Sequence, residues 1–103
     1  MSIEEIRQHI ISGNYQFIIH ALEKGIEREI VRNGAEEAIL GDEIIEEYPD
    51  DKPFPSCLIY GKTKSGRPIH IVCSSEQEIW IITLYEPKPE EWIEFRKRKG
   101  GGQ

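Results

Sequence analysis

Between Ser56 and Glu86 the chain reads SCLIYGKTKSGRPIHIVCSSEQEIWIITLYE. Three runs rich in Ile, Val, Tyr and Trp are divided by Lys64-Ser65-Gly66 and by Ser74-Ser75-Glu76-Gln77. Runs of this length with polar or glycine-containing breaks predict consecutive antiparallel strands. With the first turn centred on Ser65, Cys57 falls opposite Cys73 and Tyr60 opposite His70. A phenol and an imidazole then share one side of the sheet, within reach of one ligand. A slip of one residue would undo that pairing. The last run, Ile79 to Tyr85, is nearly all apolar and predicts a central strand buried on both faces. Thr83 and Tyr85 point the same way; on this reading, the turn at Glu76-Gln77 decides whether they join the His70 face.

The residues before this stretch predict helices. Ser2 and Glu5 fit a capping box, and Ile3, Ile6 and Ile10, with Ile11 as a further candidate, recur at helical spacing until Gly13-Asn14 ends the pattern. Tyr15 to Ile19 suits either a short extended piece or the entry to a second helix. His20 to Lys24 reads as helix, with Gly25 able to stop or bend it. Glu27 to Leu40 predicts a third helix that turns Ile30, Val31, Ala35, Ala38 and Ile39 inward, with Gly41 as its C-terminal cap. Asp42 to Tyr48 predicts a first strand with an acidic exposed side. The three prolines of Pro49 to Pro55 then impose a loop. After Pro87 and Pro89, the acids Glu90 and Glu91 and the cations Arg96 to Lys99 predict a short closing helix, with Trp92 and Phe95 docked on the sheet. The expected class is α+β: N-terminal helices on a four-stranded antiparallel sheet, closed by a short C-terminal helix. Residues 1–99 form one domain in this reading, and residues 100–103 a disordered tail.

A chain of 103 residues buries roughly 65% of its unfolded surface, enough for a core without staples. No apolar run approaches the ~20 residues of a membrane helix. The acidic start, Met1 to Glu5, lacks the basic flank of a signal peptide, so a cytoplasmic protein is expected. In that setting Cys57 and Cys73 read as buried thiols. The net charge of −6 is uneven: residues 1–51 hold 13 acids and 4 bases, residues 52–103 hold 6 acids and 9 bases. The second half therefore offers a basic face, while the acids of the first half solvate the outer faces of the helices.

The chain has no phosphate-binding glycine loop, no Cys-x-x-Cys, no His-Glu-x-x-His and no nucleophile elbow. His9, His20, His70 and the two cysteines lack a metal-ligand spacing, so neither a metal nor a cofactor is expected. What remains is a set of His, Tyr, Thr, Lys and Arg around a sheet. Metal-independent RNA cleavage uses such groups: a base for the 2′-hydroxyl, cations for the charge building on the phosphate, and an acid for the leaving oxygen. Scattered surface polar groups give the same composition.

The segments Tyr15 to Glu23, Ile39 to Asp51, Pro55 to Leu58, Pro68 to Val72 and Ile82 to Pro87 resemble, in order, the family called domain of unknown function 4258. The resemblance covers about residues 15–98. It implies a RelE-type, barnase-like endoribonuclease fold and an mRNA interferase toxin silenced by an antitoxin-like protein. It also implies roles for His20, His70, Thr83 and Tyr85, which match the family's histidines and its Thr-x-Tyr. Where family members often carry arginine after the helical histidine, this chain has Lys24, with Arg28 further on.

Two expectations follow. In the first, the protein is a metal-independent endoribonuclease for single-stranded RNA. His70 or His20 acts as base or acid, Tyr85 and Tyr60 stack or donate, and Arg67, Lys62, Lys64, Arg96 and Arg98 hold the RNA backbone. In the second, it is a non-catalytic interaction domain in which the sheet or the Trp92 segment binds a protein and both histidines are structural. Convergence of His20, His70 and Tyr85 on an open cleft beside Arg67 favours the first. Burial with satisfied partners favours the second.

Overall fold

A computed structural model of the protein describes residues 2–41, 43–75 and 78–100. The chain opens with α1 (Ile3–Ser12), whose Ser2 and Glu5 form the expected capping box and whose end is closed by Gly13 in the left-handed conformation. Ile6 and Ile10 carry its buried face. The ambiguous segment that follows is both things in turn. Tyr15–Phe17 forms a short strand, β1, and Ile19 opens α2 (Ile19–Glu27). Gly25 does not stop this helix. It lies inside it and buried, where a Cβ would sit 2.9 Å from the Ile30 carbonyl oxygen.

The third helix is shorter than the 27–40 periodicity predicts. Glu29 takes a positive φ of 57°, and α3 runs from Arg32 to Gly41. Ile30, Ala35, Ala38 and Ile39 face inward as expected, but Val31 lies in the corner between helices and is 67% exposed. Four strands follow as anticipated: β2 (Glu43–Tyr48), β3 (Ser56–Lys62), β4 (Pro68–Ser75) and β5 (Ile79–Tyr85). Asp42, expected at the start of β2, and the Glu76-Gln77 turn lie outside the described residues.

The sheet has five strands, not four, in the order β1-β5-β4-β3-β2. β1 pairs parallel to β5 and the other neighbours are antiparallel, so the sheet is mixed. A three-residue strand such as Tyr15–Phe17 carries too little pattern to announce itself; its pairing with Ile79–Ile81 defines it. The β3–β4 register is the expected one: Cys57 faces Cys73 and Tyr60 faces His70. Both cysteines are buried thiols.

The helices pack on one face, where Cys57, Ile59, Ile71, Cys73, Ile81 and Leu84 join Ile6, Ala21 and Ile39 in the core. The closest approach is at Gly61, where an added Cβ would lie 1.9 Å from the Ala38 carbonyl oxygen. Only glycine lets the α3 backbone rest on β3 there. β5 is not buried on both sides. Ile79, Ile81 and Leu84 are sealed against the helices, but Trp80, Ile82, Thr83 and Tyr85 are half-exposed on the other face.

The C-terminal segment corrects the helix expectation. Trp92–Ile93 (β6) and Lys97–Arg98 (β7) form a small hairpin, and Glu94 and Phe95 take positive φ values of 51° and 62° at its turn. A ten-residue helix is marginal on its own. Contacts of Trp92 and the Phe95 carbonyl with the sheet outweigh its local propensity. The disordered tail expected at residues 100–103 falls, beyond Gly100, outside the described residues.

Candidate functional site

The sheet face without helices carries Tyr60, His70, Thr83 and Tyr85. Tyr60 and Tyr85 flank His70 on the neighbouring strands, and Thr83 faces Val72. The register of β5 shifts by one residue between Val72 and Cys73, so Ile82 is an extra residue in the strand. This bulge reverses the alternation of β5 and brings Thr83 and Tyr85 to the His70 face.

The β6–β7 hairpin closes over this cluster. The His70 ring stands edge-on to Trp92 at 4.4 Å between centroids, to Tyr85 at 5.3 Å and to Tyr60 at 5.9 Å. Its Nε2 lies 2.6 Å from the Phe95 carbonyl oxygen and its Nδ1 3.2 Å from the Tyr85 hydroxyl. A carbonyl only accepts, so Nε2 carries the proton and Nδ1 accepts from Tyr85. Both ring nitrogens are satisfied and the residue is fully buried. Burial holds the His70 pKa below the ordinary histidine value, against the opposite pull of the Phe95 carbonyl and Glu46. Burial also raises the Tyr85 pKa.

His20 is not part of this cluster. It is exposed in the first turn of α2, which packs through Ala21 and Gly25 against the opposite face of the sheet. The cations expected to hold RNA divide into two groups. Lys62 and Lys64 are exposed at the tip of the β3–β4 hairpin. Arg96 and Arg98 are exposed but held by partners within the chain. Arg96 pairs with Glu43 at 2.6 Å and lies over the Tyr60 ring, while Arg98 pairs with Glu46 at 3.0 Å and lies over Trp92. The basic C-terminal segment thus neutralises the acidic strand β2 and fastens the hairpin. Glu46 also accepts from the Tyr48 hydroxyl, and burial followed by that carboxylate pushes the Tyr48 pKa up to about 12.

Arg67 has a structural post. Its Nη1 and Nη2 donate to the Glu29 and Arg28 carbonyls at 2.6 and 2.7 Å, and its Nε donates to Glu86 at 2.6 Å. Carbonyls at a helix C-terminus have no partner within the helix, and the guanidinium supplies one for α2. Beside it, Arg28, Arg67, Tyr85, Glu86, Lys88 and Glu91 line a shallow cleft of about 470 Å³.

The feature that sequence reasoning missed lies on α2. Ala21 and Gly25 face the core, yet Ile19, Leu22 and Ile26 are 75%, 48% and 81% exposed on its outer side, next to Val31. Leu22 and Ile26 border a cavity of about 450 Å³ walled by Phe17, Ile30 and Val31. The signal was present as an apolar stripe wider than one buried face needs: Ile18, Ile19, Ala21, Leu22 and Ile26 occupy both sides of a short helix.

Among the described residues no three His, Cys, Asp or Glu side chains gather into a metal-binding group. Among the described residues no helix is long and apolar enough to cross a membrane. Residues 17–86 match the family model described as Domain of unknown function (DUF4258). No curated protein and no solved structure matches the chain.

Proposed function

The chain belongs to the DUF4258 family, and from that premise we propose that it is a non-catalytic protein-interaction domain whose α2 face receives a partner. The observation that carries this reading is the run of large aliphatic side chains left in solvent, Ile19, Leu22, Ile26 and Val31, of which the last three line one cavity. A contiguous apolar patch of this kind, rimmed by charge, marks a surface that another chain covers. Spacings of three and four residues along α2 suit an apolar helix laid alongside it.

The state of His70 supports the same choice. A general acid or base has to reach the proton it moves. His70 is buried, and both of its nitrogens are engaged within the fold.

One observation favours a second reading, an endoribonuclease of the RelE type. Tyr85 lines a cleft with Arg28, Arg67 and Lys88, and its hydroxyl bonds to His70. Tyr85 would then meet the RNA and the three cations would hold its phosphate, opposed by Glu86 and Glu91.

Two measurements separate the readings. A mixed-sequence single-stranded RNA is incubated in EDTA with the wild type and with Tyr85→Phe. The interaction reading expects intact RNA. Cleavage that disappears in Tyr85→Phe would establish the nuclease instead. In parallel, a photo-crosslinking residue is placed in cells at Ile26 or at Lys62. One discrete adduct from position 26 and none from position 62 is expected. Equal or absent labelling would remove the α2 face as the docking surface. An adduct of twice the protein's own mass would make the partner a second copy of this chain.

A further inference from the structure

A second cavity, of about 310 Å³, opens on the helix-free face at the end of the sheet away from His70. Phe54, Trp80 and Ile82 form its apolar walls, and Ser56 and Ser74 line it from the neighbouring strands. The proline loop between β2 and β3 places Asp51 at the mouth, where the residue is exposed. The Asp51 carboxylate is oriented on both sides: the Ser56 hydroxyl donates to Oδ2 at 2.6 Å and the Lys52 amide to Oδ1 at 2.9 Å. Yet no Lys, Arg or His side chain among the described residues forms an ion pair with it. The cavity therefore combines an indole and a phenyl ring with an oriented carboxylate that forms no ion pair.

Arginines elsewhere in this fold show what such surroundings attract. Arg96 over Tyr60 and Arg98 over Trp92 each join a carboxylate and an aromatic face around one cation. At the Trp80 cavity the carboxylate and the rings are present, and Lys52, which also lines it, forms no ion pair with Asp51. A ring face attracts positive charge through its quadrupole, most strongly in tryptophan. A long basic side chain buries its apolar stem and keeps its charged head near water. We propose that this cavity binds an organic cation, an ammonium or guanidinium group on an apolar stem. The stem enters between Trp80 and Phe54 and the charge is held at the mouth by Asp51. The site is separate from the α2 face and does not depend on its role. Lys52, also at the mouth, opposes the cation and limits its affinity.

The test uses phenethylammonium, with neutral 2-phenylethanol and anionic phenylacetate as probes of similar shape. Binding is followed by NMR through the Trp80 indole N–H, with the Trp92 indole under the hairpin as an internal control. Phenethylammonium should move the Trp80 signal and bind about fivefold tighter than 2-phenylethanol, the upper scale of an exposed ion pair with a carboxylate. Asp51→Asn, which keeps an acceptor for Ser56, should abolish that preference while 2-phenylethanol binding and the Trp92 signal stay unchanged. Lys52→Gln should tighten the cation. A capped peptide with one lysine, compared with the free amine, tells whether the site reads a partner's side chain or a small molecule; binding of either supports the proposal. Tighter binding of the neutral or anionic probe, or a preference that survives Asp51→Asn, would overturn it.

Discussion

The Nε2–H of His70 donates to the Phe95 carbonyl across 2.6 Å, joining the middle of β4 to the turn of the C-terminal hairpin. Those residues are 25 positions apart, and the bond needs Phe95 in a left-handed backbone conformation. On the other side of the ring the Tyr85 hydroxyl fills Nδ1. One side chain therefore fixes the hairpin, the tyrosine and its own tautomer together.

Replacing His70 by Ala removes both hydrogen bonds and leaves a hole beneath Trp92. The expected loss is about 3 kcal/mol, from a large-to-small core change plus a stranded carbonyl. Urea denaturation followed by tryptophan fluorescence measures it. A loss below about 0.5 kcal/mol would show that the ring does not hold the hairpin.

The same residue gives stability a pH dependence of known sign. Burial lowers the folded pKa of His70, while the unfolded chain titrates near the ordinary value of about 6.5. The unfolded state thus binds the proton more readily. The His70 contribution is complete above about pH 6.5 and is lost as pH falls from there through the folded pKa. Urea midpoints should decline from pH 7 to pH 5 in the wild type, and less steeply in His70→Phe. Parallel profiles would contradict this.

Gly61 and Gly41 make a paired test of helix–sheet contact. A Cβ at Gly61 would overlap the Ala38 backbone, whereas at Gly41 nothing lies within 4 Å. Gly61→Ala should cost about 3 kcal/mol or more through overpacking against backbone. Gly41→Ala should be neutral or stabilise by up to about 1 kcal/mol. Thermal melts of the two variants decide; equal melting temperatures would refute the close approach of α3.

Arg67 is expected to act as a cap, not as a free cation. In Arg67→Lys the ammonium cannot serve Glu29, Arg28 and Glu86 together, because the planar fork is lost. Amide exchange at Arg28, Glu29 and Ile30 should quicken by about tenfold, the effect of losing charge-assisted bonds. Unchanged protection there, in a folded variant, would return Arg67 to the pool of cations available to a ligand.

Local pattern made much of this structure legible. The capping box at Ser2, the left-handed Gly13 and the Ser65-centred turn are short-range signals, and each forms as written. The β3–β4 register followed because a hairpin turn leaves one pairing, which is why Tyr60 opposite His70 could be named from the sequence. Other features depend on residues distant in the chain. A three-residue β1 gains meaning only beside β5, and the C-terminal segment has the composition of a helix until Trp92 and Phe95 meet the sheet.

The candidate site divides the same way. Which residue types gather on β4 and β5 was determined by the sequence alone, through strand propensity and alternation. Whether they present a reactive cleft or a sealed cluster was decided in three dimensions. The bulge at Ile82 turns Tyr85 toward His70, and the hairpin then closes over both, since burying Trp92 outweighs the weak helical preference of ten residues. Tertiary packing also left Ile19, Leu22 and Ile26 outside, because a short helix apolar on two sides has only one sheet to lie on.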